Sequence, residues 1–417
     1  MMRIRSLIAI VAVIALCLPI LGCGNSPEPE VSTTTQNAQV EEDQMILQQR
    51  RDLVESYMRE MLTVLWRAEE TIVYGLRGGK PTLTIEAGRL YRGVPYAFSM
   101  GTKASFLEFS SGQDENGVHT ITGLEGIALL GTGAEARIGS DCSSALTVAW
   151  SLVSPGLRAV QSKDMLQNNG IIPVGDYSFQ PAYGEDGVYL TNTAPAIAVN
   201  DEQTMFRAYA QLQKGDGVFY IGDSNHCRMV VSIDVVYKSD NTIDPYLSTI
   251  TTLEQTRNNF MNEVTTSLPG IDEPVYVIGG IDVKYSFMDL YNENYLPITV
   301  PQLVDPNPIA ELEFKDSITE HSKETILDGT LSANYYIDTV TVMITDGDGN
   351  EIQRSSASVT RANSSNFSMK KFLMGNPASV RGKLDLGSLK KGTYHCKTVC
   401  RMMSGEEVVV RDFDFAV

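Results

Sequence analysis

The sequence predicts an α+β chain: a domain of mixed strands and one buried helix, followed by an all-β sandwich. Three observations predict it. Residues 80–300 mix strand-like runs and Gly/Asn/Asp turns with one strongly apolar helix, Ala145 to Val153. Pro301 to Pro308 (PQLVDPNP) then breaks the pattern and sets a domain boundary. Beyond it, polar strands alternate with glycine turns to the C-terminus.

Composition narrows the function. The chain of 417 residues has room for about two or three domains, and its 43% hydrophobic and 20% charged content belongs to a core-forming protein. A formal charge of −18 argues against a nucleic-acid partner, which needs a basic face. Four histidines leave little from which to build a multi-histidine metal centre, and six scattered cysteines do not make a disulfide framework. No metal or organic cofactor is called for.

At the N-terminus, Arg3 and Arg5 precede an apolar run from Leu7 to Ile20. The run is shorter than the roughly 20 residues that span a bilayer, so residues 1–22 read as a signal peptide. The run ends in Ile20-Leu21-Gly22-Cys23, which resembles a bacterial lipobox. That implies a lipid anchor on Cys23 and an extracytoplasmic, membrane-anchored protein of the cell envelope; the alternative is an ordinary signal peptide with Cys23 incidental. Without Arg3 and Arg5 the balance is 31 basic against 51 acidic residues, a charge of −20. Acyl chains rather than electrostatics would then hold the protein to an anionic membrane. Residues 23–44 are rich in Ser, Thr, Pro and Glu with scarcely an apolar residue, and read as a disordered tether. No other transmembrane candidate appears.

Residues 45–300 form the first folded domain. From Met45 to about Tyr74, apolar Leu47, Val54, Met58, Met61 and Leu65 recur at helical intervals, with Gln48, Arg51, Glu55 and Arg59 outside, so an N-terminal helix is expected over 45–74. In the C-terminal domain, 301–417, Ile337 to Thr345, Gly392 to Met402 and Glu407 to Phe415 read as strands of a sandwich whose pattern resembles the Ig-like modules of bacterial surface proteins. Asp346-Gly-Asp-Gly-Asn350 lacks the glycine and glutamate spacing of a calcium loop and reads as a hairpin turn. Tyr394, Cys396, Thr398, Cys400 and Met402 share one strand face, which makes both cysteines small core residues.

Ile138 to Val153 (IGSDCSSALTVAWSLV) carries the chemistry. Ser140 or Asp141 is a natural N-cap and Pro155-Gly156 a stop, so Cys142 lies in the first turn, where the helix dipole lowers a thiol pKa. Packing alone also places a cysteine there. His226 follows Lys214-Gly-Asp-Gly-Val-Phe-Tyr220 and sits at the start of a strand running to Tyr237. With a turn centred on Asp240 and a second strand from Tyr246 to Gln255, His226 faces Glu254; a shift of a residue or two leaves Gln255 or Thr256 instead. A polar group there would orient the imidazole as the third member of a triad does. Cys227 should point to the opposite face and is read as structural, although a Cys142–Cys227 disulfide is a competing arrangement in an oxidising compartment.

Asp141-Cys142-Ser143-Ser144 at a helix start resembles the Asp-Cys-Ser-Gly signature of the NlpC-type cell-wall cysteine peptidases. Gly93-Val94-Pro95-Tyr96 resembles their upstream Gly-x-Pro-Tyr element, and Gly215 to Tyr220 followed by His226 resembles their Gly-Asp-Leu-Val-Phe segment and histidine strand. Leu253-Glu254-Gln255 looks like the third-residue strand of the related CHAP amidases. The resemblance covers residues 85–260 and lies in the order of the motifs. Three departures stand out. Ser144 replaces a glycine, Ala97-Phe98-Ser99-Met100 replaces an aromatic-glycine pair, and the long interval from Cys142 to His226 implies an insertion near 161–200. A transglutaminase-like protease also orders its residues cysteine, histidine, aspartate, but the Gly-Asp-x-Val-Phe element favours the first family.

The resemblance implies a papain-like α+β domain cutting stem-peptide or glycan-peptide amide bonds of peptidoglycan, or another cell-surface amide. Cys142 would be the nucleophile, His226 the general base, Glu254 the orienting group and Tyr96 a residue lining the site. The rival from another class is a non-catalytic surface-binding lipoprotein on the same scaffold.

Overall fold

A computed structural model describes residues 33–75, 82–123, 139–154, 157, 171–178, 192–222, 224–308, 312–315, 330–333, 337–358, 366–368, 380–381, 384–402 and 407–417. The signal peptide, Cys23, Pro155-Gly156 and most of the expected insertion lie outside these. Two compact units divide the chain, residues 1–42 and Asp43–Val417. Only the start of one helix is described in the first; the rest concerns the second.

Helix α1 (Thr33–Thr63) begins inside the segment expected to be a tether and ends well before residue 74. Both differences have local causes. Residues 36–44 contain no Pro or Gly and several good helix formers, so extending an existing helix costs little even without a core to pack on. After Thr63 the buried positions switch to every second residue, Val64, Trp66 and Ala68, and the chain runs as a strand. Val54, Met58 and Met61 are buried as the stripe predicts. Arg51, expected outside, is buried with them. Its guanidinium pairs with Asp216 at 3.0 Å and donates to the carbonyls of Lys214 and Leu303.

The following elements are β1 (Leu65–Ala68), β2 (Ile72–Gly75), β3 (Thr82–Ile85), β4 (Leu90–Arg92), α2 (Lys103–Leu107), β5 (Ser110–Gln113), β6 (His119–Ile121), α3 (Cys142–Ser151), β7 (Ile172–Pro173), α4 (Ala194–Ala198), α5 (Glu202–Tyr209), β8 (Gly217–Ile221), β9 (Asn225–Asp234), β10 (Thr249–Glu254), α6 (Asn258–Met261), β11 (Thr265–Leu268), β12 (Ile271–Val277), β13 (Gly280–Ser286), α7 (Phe287–Asn292) and β14 (Leu296–Thr299). One six-stranded sheet has the order β11-β12-β4-β1-β6-β5, a second β13-β10-β9-β8-β14-β7. All pairings in the second are antiparallel. The chain is therefore α+β, with sheets predominating.

Helix α3 packs against the second sheet. Trp150 donates to the Gly215 carbonyl at 2.7 Å, and a Cβ at Gly217 would stand 3.0 Å from Leu146 and 3.1 Å from Trp150. Gly215 has φ +86°, and a side chain there would run into Val54 of α1. The Gly-Asp-Gly turn is thus clamped between α1 and α3, with Asp216 accepting from Arg51 and from the Thr299 hydroxyl at 2.6 Å. Arg50 donates to the carbonyls of Gln302, Asp305 and Pro306, tying the proline-rich stretch to α1.

Beyond that stretch lie β15 (Leu312–Lys315), β16 (Thr330–Ala333), β17 (Ile337–Asp346), β18 (Glu351–Ser358), β19 (Asn366–Ser368), β20 (Val380–Arg381), β21 (Thr393–Met402) and β22 (Glu407–Ala416). They form a three-stranded sheet, β15-β16-β19, and a five-stranded sheet, β20-β18-β17-β21-β22. Residues 346–350 make the β17–β18 turn, closed by Asn350 N–H donating to the Asp346 carboxylate at 2.9 Å. Tyr394, Cys396, Thr398 and Cys400 are buried on one face, and burial pushes the two thiols up to about 11 and about 12.

Candidate active site

Asp141 is the N-cap of α3. Its backbone is extended, and its carboxylate accepts from the Ser144 N–H at 2.7 Å and the Ser143 hydroxyl at 3.0 Å. That cap makes Cys142 the first helical residue, with its thiol among the free N–H groups of the first turn. Burial raises the Asp141 carboxyl to about 6, helped by the charge of Cys142 and opposed by the two serine hydrogen bonds.

Strand β9 brings two side chains to this thiol. Alternation sets Cys227 on the same face as Met229, opposite Gly217, and α3 covers that face. Cys227 therefore lies buried against Cys142, as the competing disulfide arrangement required. Both are free thiols. The Cys227 side chain hydrogen-bonds Cys142 and is the main cause holding the Cys142 thiol well below its ordinary value. Burial opposes it, and the hydrogen bond and charge of His226 add to it. For His226, burial lowers the imidazole pKa, but Cys142 and Glu254 outweigh it and bring it up to about 9. Thiolate and imidazolium stabilise each other.

Nε2 of His226 lies 2.7 Å from Oε2 of Glu254, leaving Nδ1 for the thiol. Glu254 is otherwise engaged as well. Arg228 Nε donates to the same Oε2 at 2.9 Å and the Tyr285 hydroxyl to Oε1 at 2.9 Å. Burial raises the Glu254 carboxyl, but His226 and Arg228 carry it down to about 2. Gly280 pairs with Glu254, and a Cβ there would stand 2.8 Å from Glu254 Cγ, so the close approach of β13 needs a glycine.

The hairpin register differs from the expected one. Near the tip, Tyr237 pairs with Ile243 as a turn centred on Asp240 requires. The Asp244-Pro245 turn then adds residues to the second strand, and a bulge between Thr251 and Thr252 takes one back. Leu253 ends opposite Met229, so position 254 faces 228 and reaches His226 diagonally. Gln255 points away. Its amide donates to the carbonyls of Val94 at 2.9 Å and Pro95 at 3.3 Å, pinning the segment that carries Tyr96. Thr256 is buried and accepts from the Asn258 N–H. Tyr96 bridges Ser140 and sits by the thiol: burial raises its hydroxyl pKa above the usual range, and Cys142 and Asp141 add to the shift.

Beside this cluster is a cleft of about 510 Å³ lined by His226, Glu254 and Arg228 among others. Cys142, 4% exposed, does not line it. Arg228 lies between the rings of Tyr285 and Tyr295, 3.9 and 4.3 Å from their centroids. Sequence reasoning missed these three. Arg228 is legible as the residue two along from His226 on one strand face, whereas the tyrosines arrive from β13 and the turn before β14, for which no local signal exists. Among the described residues, no cluster of His, Cys, Asp or Glu is placed to hold a metal ion. Comparison with known proteins finds no matching family model, curated protein or solved structure, so the geometry has to support the functional reading alone.

Proposed function

We propose that the protein is an envelope lipoprotein, anchored through Cys23, that hydrolyses an amide bond of peptidoglycan through a Cys142 thioester. In this reading residues 45–300 are a papain-like domain of the NlpC and CHAP kind, and residues 301–417 an Ig-like module. One observation carries it: a thiol at the start of a helix contacts an imidazole whose other nitrogen is held by a carboxylate. The thiolate attacks the scissile carbonyl carbon, and the Cys142 N–H at the helix start stabilises the oxyanion. Imidazolium His226 gives its Nδ1 proton to the departing amine, and the neutral ring then takes a proton from the water that opens the thioester. Glu254 holds the ring in place throughout, and Tyr96 walls the sulfur.

The test is incubation of purified peptidoglycan with the detergent-solubilised protein, following new amino groups. Release by wild type that is lost in Cys142→Ala and His226→Ala supports hydrolysis. A second reading, a binding protein on this scaffold, is favoured by the burial of Cys142 away from the cleft. It predicts co-sedimentation with peptidoglycan, unchanged in Cys142→Ala, with no amino groups released.

A further inference from the structure

The cleft beside Glu254 holds a donor without an acceptor. Arg228 is 7% exposed; its Nε is used by Glu254, but its Nη1 has no hydrogen-bond partner among the described residues. The carboxylate of Glu293 stands 3.8 Å away, beyond hydrogen-bond reach, on a side chain more than half exposed. A buried guanidinium N–H is costly to leave unpaired, and a bound acceptor that moves Glu293 aside would satisfy it.

The surroundings define that acceptor. The cations Arg228 and His226 are matched by Glu254 and Glu293 in the same cleft, so a charged ligand gains no uncompensated partner. Asn258, Asn292 and Asn294 line the cleft with amides that both donate and accept, as sugar hydroxyls do. No aliphatic side chain is among the described residues lining it, so an apolar peptide side chain finds no pocket, whereas Tyr220 and Tyr295 offer ring surface. Its volume of about 510 Å³ lies within the range of small-molecule sites, about 300–1,000 Å³.

We propose that this cleft binds an N-acetylated sugar, with the acetamido carbonyl accepting from Arg228 Nη1 and the asparagines reading the hydroxyls. The site rests on the hydrolase reading for its biological setting, since it would seat a sugar ring next to the dyad. Its test is made in full-length Cys142→Ala protein in detergent, so a failure of catalysis does not touch it. Calorimetric titration compares triacetylchitotriose with cellotriose, which has the same rings and no acetamido group. The expected result is binding about tenfold or more tighter for the acetylated trimer. Arg228→Lys should abolish that preference, and Asn292→Ala, at an exposed position, should weaken binding about threefold. Equal affinity for the two trimers, no saturation by about 10 mM, or indifference to both substitutions overturns the proposal. So does tighter binding of an N-acetyl dipeptide amide, which would make the occupant a peptide.

Discussion

Glu254 reaches His226 diagonally across two strands, Oε2 to Nε2 at 2.7 Å, although position 228 lies opposite it. The bulge between Thr251 and Thr252 makes this possible. Without it, every residue after Thr251 would be displaced by one, and Gln255 would turn its amide to the imidazole. The identity of the group behind His226 is thus set by a strand irregularity.

Glu254→Gln is expected to raise the thiol pKa of Cys142, because an amide stabilises the imidazolium less well. Gln255→Ala is expected to leave that pKa in place while destabilising by about 1–3 kcal/mol through the two freed carbonyls of Val94 and Pro95. The pH profile of Cys142 alkylation separates the two; matching shifts would contradict the assignment.

Acid should weaken the protein through Glu254. Its carboxyl falls from an ordinary 4.5 to about 2, so its contribution is present above pH 4.5 and lost as pH falls toward 2. The size is on the order of 3 kcal/mol, shared with His226 and Arg228. The stability gap between wild type and Glu254→Gln, measured by denaturant unfolding, should therefore narrow across that window.

Cys227→Ala removes a hydrogen bond to the Cys142 sulfur. Alkylation of Cys142 should shift to higher pH with little loss of stability, since only a small side chain is trimmed. An unchanged pH profile would assign the low thiol pKa to His226 and the helix alone.

Arg51→Met should cost about 3–5 kcal/mol, because it leaves Asp216 buried without its cation. Asp216→Asn combined with Arg51→Met should recover part of that loss. Urea unfolding of the single and double variants decides it, and additive losses would contradict the pairing.

These residues also mark how far the sequence could be read. The helix start at Asp141-Cys142 was legible because a cap, an apolar run and a stop follow one another locally, and the hairpin because its turn residues do. Arg51 was misplaced because amphipathic spacing counts a guanidinium as a surface group, while here it pairs with an aspartate far along the chain. Cys227 was set on the correct face, but no single strand reveals that a helix covers that face. The bulge at Thr251 and the enclosure of Arg228 by Tyr285 and Tyr295 depend on contacts between strands distant in sequence.

The measurement that bears most directly on the central claim is the pH titration of thiolate ultraviolet absorbance, taken as wild type minus Cys142→Ala. It needs neither substrate nor access of a reagent to a buried sulfur. The Cys227 hydrogen bond and the ion pair with His226 hold the Cys142 thiol well below its ordinary 9.0, while His226 keeps its proton up to about 9. Stability from the raised histidine is full below 6.5 and lost as pH rises through about 9; that from the lowered thiol is full above 9.0 and lost as pH falls through its folded value. The two exchange between those limits, so the pair persists across neutral pH. The account predicts a thiolate signal developed well below pH 9 that moves to higher pH in His226→Ala. A signal that rises only near pH 9 in both proteins would contradict it.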